Sequence, residues 1–108
     1  MFTHYLTYSF ALNFQRDCFL LSEASHPESQ SLLSSADRMM ASLAQAMEAQ
    51  EKDARAKALL VSVLCLRDCR DVLDRTGGMP TPMQGPYDVL HTRLERLCSD
   101  AHDAIRCV

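Results

Sequence analysis

The most regular hydrophobic pattern in this sequence lies between residues 26 and 76. Apolar residues recur there at steps of three and four, which is the spacing of one buried stripe on an α-helix. No glycine or proline interrupts residues 28–76, so the pattern predicts long helices. The apolar positions form two sets: Leu32, Leu33, Ala36, Met39, Met40, Leu43, Ala44 and Met47, then Leu59, Leu60, Val63, Leu64, Leu66 and Leu73.

Signals at both ends of this region indicate where helices begin and stop. Ser25 can cap the open amides of a helix that begins near residue 26, and Pro27 is tolerated in its first turn. Glu28 stands three residues after Ser25, as in a capping box. At the other end, Thr76-Gly77-Gly78 supplies a glycine stop.

The polar stretch Gln50-Glu51-Lys52-Asp53 separates the two apolar sets and decides the architecture. If it is a turn with Asp53 as the next cap, four helices lie near 4–24, 27–50, 53–75 and 87–107, which suits an antiparallel bundle. If it is helical, residues 27–75 form one long helix, and a second chain must cover its stripe in a three-helix arrangement. We favour four helices.

The hydrophobic pattern predicts secondary structure more clearly at the C-terminal end of the chain than at the N-terminal end. The last segment carries one apolar seam, typical of a core helix, at Tyr87, Leu90, Leu94, Leu97, Ala101, Ile105 and Val108. Residues 3–14 alternate between apolar and polar as a strand would, yet Leu6, Phe10, Phe14, Cys18 and Leu21 also mark one helical face. We predict a helix, because a lone strand would need a partner strand from another subunit.

Length and charge narrow the class of protein. With 108 residues the chain supports one domain, so we expect residues 1–108 to form a small all-α antiparallel bundle with a Gly/Pro-rich loop at 77–86. We expect a homodimer, because so short a chain buries a small share of its surface and its apolar stripes are wide. A net charge of -3 disfavours nucleic-acid binding.

The cysteines and the N-terminal segment indicate a cytoplasmic protein. Five cysteines are an odd number, which fits reduced thiols better than a secreted disulfide framework. The first residues carry no positive charge ahead of their apolar stretch, so they make a poor signal peptide. The longest N-terminal apolar stretch is too short to cross a membrane, so we expect no membrane association.

Candidate chemistry is sparse. No glycine-rich nucleophile turn accompanies any thiol, and Gly77-Gly78 precedes Met-Pro rather than the Lys-Ser or Lys-Thr of a phosphate loop. We therefore expect neither an enzyme nor a cofactor. An alternative function is a metal- or redox-responsive bundle, in which Cys65 and Cys69 on one helix face Cys98 and His102 on another and hold zinc or Cu(I).

Other features favour binding to a protein. Six methionines offer adaptable apolar contacts, and the segment 79–83 is apolar and stiffened by proline. Aromatic residues cluster near the N-terminus, at Tyr5, Tyr8, Phe10, Phe14 and Phe19. We predict partner contacts through Tyr8, Phe10, Phe14, Met79 and Met83. The expected function is a steric regulator, either an antagonist that sequesters a transcription factor or an adaptor or chaperone for an exported protein.

Overall fold

The protein is a bundle of four α-helices. The computed structural model describes residues 2–23 and 28–106, with the backbone alone for residues 2–4. The helices are α1 (Phe2–Glu23), α2 (Ser29–Glu48), α3 (Lys52–Arg75) and α4 (Thr81–Arg106), and the described part of the chain contains no strand. The predicted all-α bundle is confirmed, and so is the helical prediction for residues 3–14.

The helices form an antiparallel ring. Residue numbers that rise along α2 fall along α3, since the Ser62 hydroxyl donates to the Met39 carbonyl at 3.1 Å while Arg75 pairs with Glu28. Contacts of α4 show the same reversal against both its neighbours, α3 and α1. Each helix packs on the next, α1 closes the ring against α4, and no Cα atom of α1 lies within 8 Å of one in α3. Therefore α1 and α3 are diagonal, as are α2 and α4.

The stretch between α2 and α3 is a turn. Ala49 and Glu51 have extended backbone angles, so the single long helix over 27–75 is excluded in favour of two helices. Asp53 was predicted to cap α3, but it lies inside the first turn of that helix. The residue at the N-cap position is Glu51. A carboxylate in the first turn still opposes the positive end of the helix dipole.

The start of α2 differs from the sequence prediction. The helix begins at Ser29, because Glu28 has a left-handed backbone with φ 57° and cannot continue a helix from residue 26. The Glu28 carbonyl accepts the Leu32 amide at 3.1 Å. The predicted cap at Ser25 and the proline at 27 lie outside the described residues.

The glycine stop after α3 is present, but the loop is shorter than predicted. Gly77 and Gly78 have φ of 110° and 95°, and the Gly78 amide donates to the Leu73 carbonyl at 2.8 Å, as in a Schellman motif. Helix α4 then begins at Thr81 instead of near residue 87, so six of the ten residues of the predicted 77–86 loop are helical.

Two prolines and a glycine account for that early start. Pro82 falls in the first turn of α4, where its missing amide is not needed. Pro86 forfeits one bond to the carbonyl of residue 82. Gly85 has no Cβ to clash with the Pro86 ring, which relieves the usual restriction on the residue before proline.

All four helices contribute to one core. Its fully buried larger side chains are Phe14, Leu32, Met39, Leu43, Leu66, Leu73, Leu90 and Leu94. Three residues of the predicted apolar stripes, Met47, Leu60 and Leu64, are instead exposed. They lie at the edges of their stripes, and the ring leaves those edges uncovered. Val108 lies outside the described residues.

Candidate functional site

The five residues predicted to contact a partner do not form one surface. Phe14, Met79 and Met83 are between 1% and 7% exposed and belong to the core, which corrects their assignment to a contact surface. The Phe14 ring packs against Tyr87 with centroids 5.7 Å apart. Because these apolar side chains fill the bundle interior, a partner of the folded monomer cannot reach them.

Tyr8 and Phe10 are half-buried and pack against the core. The Arg93 guanidinium of α4 lies 5.1 Å from the Phe10 ring centroid, so that ring already has a cation–π partner within the chain. Phe10 therefore joins α1 to α4. Of the five predicted residues, only Tyr8 and Phe10 retain partial access to a binding partner.

The structure contains a different apolar surface, an open groove between α1 and α2 with a volume of about 690 Å³. Contiguous apolar side chains left uncovered with polar residues at their rim are typical of interaction sites. We call this surface the α1–α2 groove. Its apolar residues are Leu12, Phe19 and Leu33, and its polar rim is Gln15, Arg16 and Asp37.

The outer face of α1 explains the groove. Tyr5, Leu12 and Phe19 recur every seven residues, so they share one helical face, and each is about half exposed or more. The opposite face carries the core residues of this helix. The seven-residue spacing was the available sequence signal, but it was masked by the strand-like alternation and by the aromatic cluster. Leu33 was predicted as core and is half-buried at the groove.

The groove carries one charge of each sign. Asp37 accepts a hydrogen bond from the Gln15 amide at 2.8 Å, and Arg16 donates to the Asn13 side-chain oxygen at 2.6 Å. Within residues 2–23 and 28–106, neither Arg16 nor Asp37 forms an ion pair. A positive group on α1 and a negative group on α2 are thus open to charged groups of a partner.

The four predicted metal ligands are not brought together. Cys69 lies beside Cys18 and the Leu32 carbonyl, whereas Cys98 lies 3.6 Å from the His102 ring. Among the described residues, no three His, Cys, Asp or Glu side chains are placed to hold a metal ion. The reason is the orientation of α3, which directs Cys69 toward α2 and the bundle centre and presents Arg67 to α4.

Three of the described thiols, those of Cys65, Cys69 and Cys98, are buried and kept protonated. Burial raises the pKa of Cys65 and of Cys98, and a hydrogen bond with Cys18 together with burial raises the pKa of Cys69. A thiol with a raised pKa is a poor nucleophile and a poor metal ligand at neutral pH. Cys18 and Cys69 also lie on diagonal helices, whose Cα atoms are more than 8 Å apart, too far for a disulfide.

A polar cluster joins α3 to α4. The Arg67 guanidinium donates to His91 Nε2 at 3.1 Å and to Glu95 at 2.7 Å, while His91 Nδ1 lies 3.2 Å from Glu95. Since His91 Nε2 accepts from Arg67, this pattern assigns the ring hydrogen to Nδ1, which donates to Glu95. The three side chains satisfy one another, which fits a structural role between the helices.

Comparison with known proteins adds no assignment. The sequence matches no family model and no curated protein, and the fold matches no solved structure. None of the described helices combines the length and the apolar character needed to cross a bilayer.

Proposed function

We propose that this protein is a non-enzymatic regulator that binds another protein through the α1–α2 groove. The observation that carries the proposal is the exposed apolar pair Leu12 and Phe19, facing Leu33 across a groove with a charged rim. Aromatic and large aliphatic side chains in such a position are the usual anchors of protein interfaces. The fold does not require these exposed apolar side chains, because α1 contributes to the core through its opposite face.

A helix of the partner is the best-fitting ligand. Two parallel walls formed by antiparallel helices leave a linear groove, into which an amphipathic helix can lay apolar side chains spaced three or four residues apart. Arg16 and Asp37 at the rim would orient that helix through charged groups of opposite sign. Specificity would then come from the rim and affinity from the apolar floor.

Regulation by this protein would be steric. A helix held in the groove is unavailable for its other contacts, as expected for an antagonist of a transcription factor or for an adaptor or chaperone of an exported protein. The buried free thiols are compatible with a reducing cytoplasm. We place the protein in the cytoplasm and expect it to form a homodimer when no other partner is bound.

Photo-crosslinking from the groove tests the proposal. A photoreactive phenylalanine derivative replaces Phe19 in the groove or, as a matched control, Leu64 on the exposed face of α3. Both positions are about half exposed and lie on different helices. We expect a discrete crosslinked protein from position 19 in cells and no such product from position 64.

A variant that disrupts the groove completes the test. Leu12→Asp places a carboxylate on the apolar floor and should abolish capture of the partner, while circular dichroism stays unchanged because residue 12 is exposed. Leu64→Asp should retain capture. Equal capture by both variants, or crosslinks of equal intensity from positions 19 and 64, would contradict binding through the groove.

A further inference from the structure

We propose that, when no other partner is bound, the α1–α2 groove is covered by a second copy of this chain, related by a two-fold axis parallel to the helices. This inference rests on the proposed function, because it names an occupant of the same groove. The arrangement sets α1 of one copy against α2 of the other. Such an interface is isologous, so every contact across it occurs twice.

The charges at the groove are the first argument. Arg16 and Asp37 have opposite signs, lie on different helices and form no ion pair among the described residues. A partner of one sign would satisfy one of them and repel the other. A second copy satisfies both, because the two-fold axis brings Arg16 to the partner's Asp37 and Asp37 to the partner's Arg16.

The relative heights of residues on α1 and α2 allow both ion pairs to form across the two-fold axis. Asp37 lies level with Gln15, since their side chains are joined at 2.8 Å, and Arg16 is one residue further along, about 1.5 Å of rise. A two-fold axis parallel to the helices preserves this height. The Arg16 side chain therefore meets the partner's Asp37 with almost no axial offset.

The apolar residues follow the same register. Because α1 and α2 are antiparallel, Leu33 lies four residues before Asp37 at the height of Phe19, four residues after Gln15. The two-fold axis thus brings Phe19 against the partner's Leu33, while Leu12 extends the apolar contact along α1. Each copy supplies both the protruding aromatic ring and the aliphatic wall that receives it.

The α1–α2 side of the molecule has room for an interface of standard size. The molecule measures 48 × 22 × 20 Å, so the flat outline of this long side is about 1,000 Å², and an interface of about 800 Å² per partner would cover most of it. Covering this side would bury Leu12 and Phe19, which are about half exposed in the single chain. The gain in apolar burial supplies affinity, and the two ion pairs fix the register.

Charge reversal tests the arrangement in the purified full chain. Light scattering should give twice 12.1 kDa for the unaltered protein. Arg16→Asp sets carboxylates against the partner's Asp37, and Asp37→Arg sets guanidinium groups against the partner's Arg16, so each variant alone should raise the dimer dissociation constant at least about tenfold. Arg96→Asp, an exposed change of the same type on α4, should leave the mass unchanged.

Mixing the two variants gives the decisive measurement. In an equimolar mixture of Arg16→Asp and Asp37→Arg, both cross-subunit pairs are again of opposite sign, so a heterodimer should form from two monomeric proteins. An affinity tag on one variant should then retain the other. Circular dichroism of each variant should be unchanged, because both residues are exposed.

The possible failures are distinguishable. A monomeric unaltered chain, a dimer indifferent to both charge reversals, or a mixture that does not associate would overturn the two-fold interface. If the chain is monomeric yet position 19 still crosslinks to another protein, the two-fold interface is wrong and the proposed function stands. If the mixture associates and position 19 crosslinks only to a second copy, the interface is supported and the proposed binding to another protein fails.

Discussion

Leu64 and Leu66 stand two residues apart on α3 in opposite environments. Leu66 is 0% exposed in the core, whereas Leu64 is 47% exposed on the outer face. We expect Leu66→Ala to lower the free energy of unfolding by about 2–5 kcal/mol, because it leaves a cavity that the bundle fills only in part. Leu64→Ala should change it by no more than about 0.5 kcal/mol. Urea denaturation of both variants checks the difference, and similar losses would contradict the core described above.

Ionisation of Tyr87 should make the stability of the fold depend on pH at high pH. Burial raises the pKa of Tyr87 to about 12 from 10.0, and the Arg70 guanidinium, 5.2 Å from the ring centroid, offsets part of that rise. Between these two pH values the unfolded tyrosine loses its proton and the folded one keeps it. Its contribution to stability is therefore complete below pH 10 and is lost as pH rises toward 12.

The measurement compares the unaltered protein with Tyr87→Phe, which keeps the ring and removes the ionising hydroxyl. The urea midpoint of the unaltered protein should fall more steeply between pH 10 and 12 than that of the variant. The ultraviolet absorbance of tyrosinate should lose its last titration step in the variant. Parallel stability curves for the two proteins would show that Tyr87 ionises equally well in the folded chain.

Burial of individual residues was only partly predictable from the sequence. The a/d-like seam of α4 gave Leu90 and Leu94 correctly, because one strong stripe leaves a single face to bury. Met79 and Met83 were assigned to a contact surface since they flank two prolines. Both are core residues: α4 begins at Thr81 and carries Met83 into the core, and Met79 is buried in the segment just before that helix.

At the scale of elements, the end of α3 depends on Gly77. Its φ of 110° is a conformation that residues with a Cβ adopt at a cost, and it allows the Gly78 amide to reach Leu73. We expect Gly77→Ala to lower the free energy of unfolding by about 1–2 kcal/mol. Asp74→Ala, an exposed change in the same last turn, should stay within about 0.5 kcal/mol. Denaturation midpoints that coincide for both variants would refute a role for the glycine.

Element type was easier to predict from the sequence than element boundaries. The 3.6-residue period identified α2, α3 and α4, whereas α1 was predicted as a helix because a lone strand would need a partner strand. The break between α2 and α3 followed from a polar stretch between two apolar sets. Residues 81–86 were predicted as loop because proline and glycine usually interrupt helices. The structure shows that the order matters: glycine directly before proline, near a helix start, lets the helix pass through both.

At the scale of the whole molecule, the separation of the thiols predicts indifference to metal. Cys65 and Cys69 belong to the α2 side of α3, and Cys98 with His102 to the α3–α4 seam. We expect equimolar zinc, added or removed with EDTA, to leave the thermal unfolding midpoint unchanged, since ligands that are not gathered give the native state no preferential binding. A zinc-dependent rise that Cys65→Ser abolishes would restore the metal-responsive alternative.

The spatial order of the helices could not be predicted from the sequence, because four helices of similar length and amphipathicity pack in more than one topology. The spatial order decides which faces of α1 and α3 pack against other helices and which faces stay exposed. The thiol pairs looked like one site only under the assumption that α3 turns its cysteines toward α4. The α1–α2 groove arises in the same way, from the uncovered edge of a helix whose opposite face supplies Phe14 to the core.

The ring order of the helices also sets how the chain reaches its fold. Within the described residues, three of the four helix–helix interfaces join elements consecutive in sequence, and the α1–α4 interface alone joins distant ones. Such a low contact order is typical of helical proteins that fold within microseconds to milliseconds. The long closure between α1 and α4 carries the largest loop-closure entropy cost, so we expect docking of α1 on α4 to limit the folding rate.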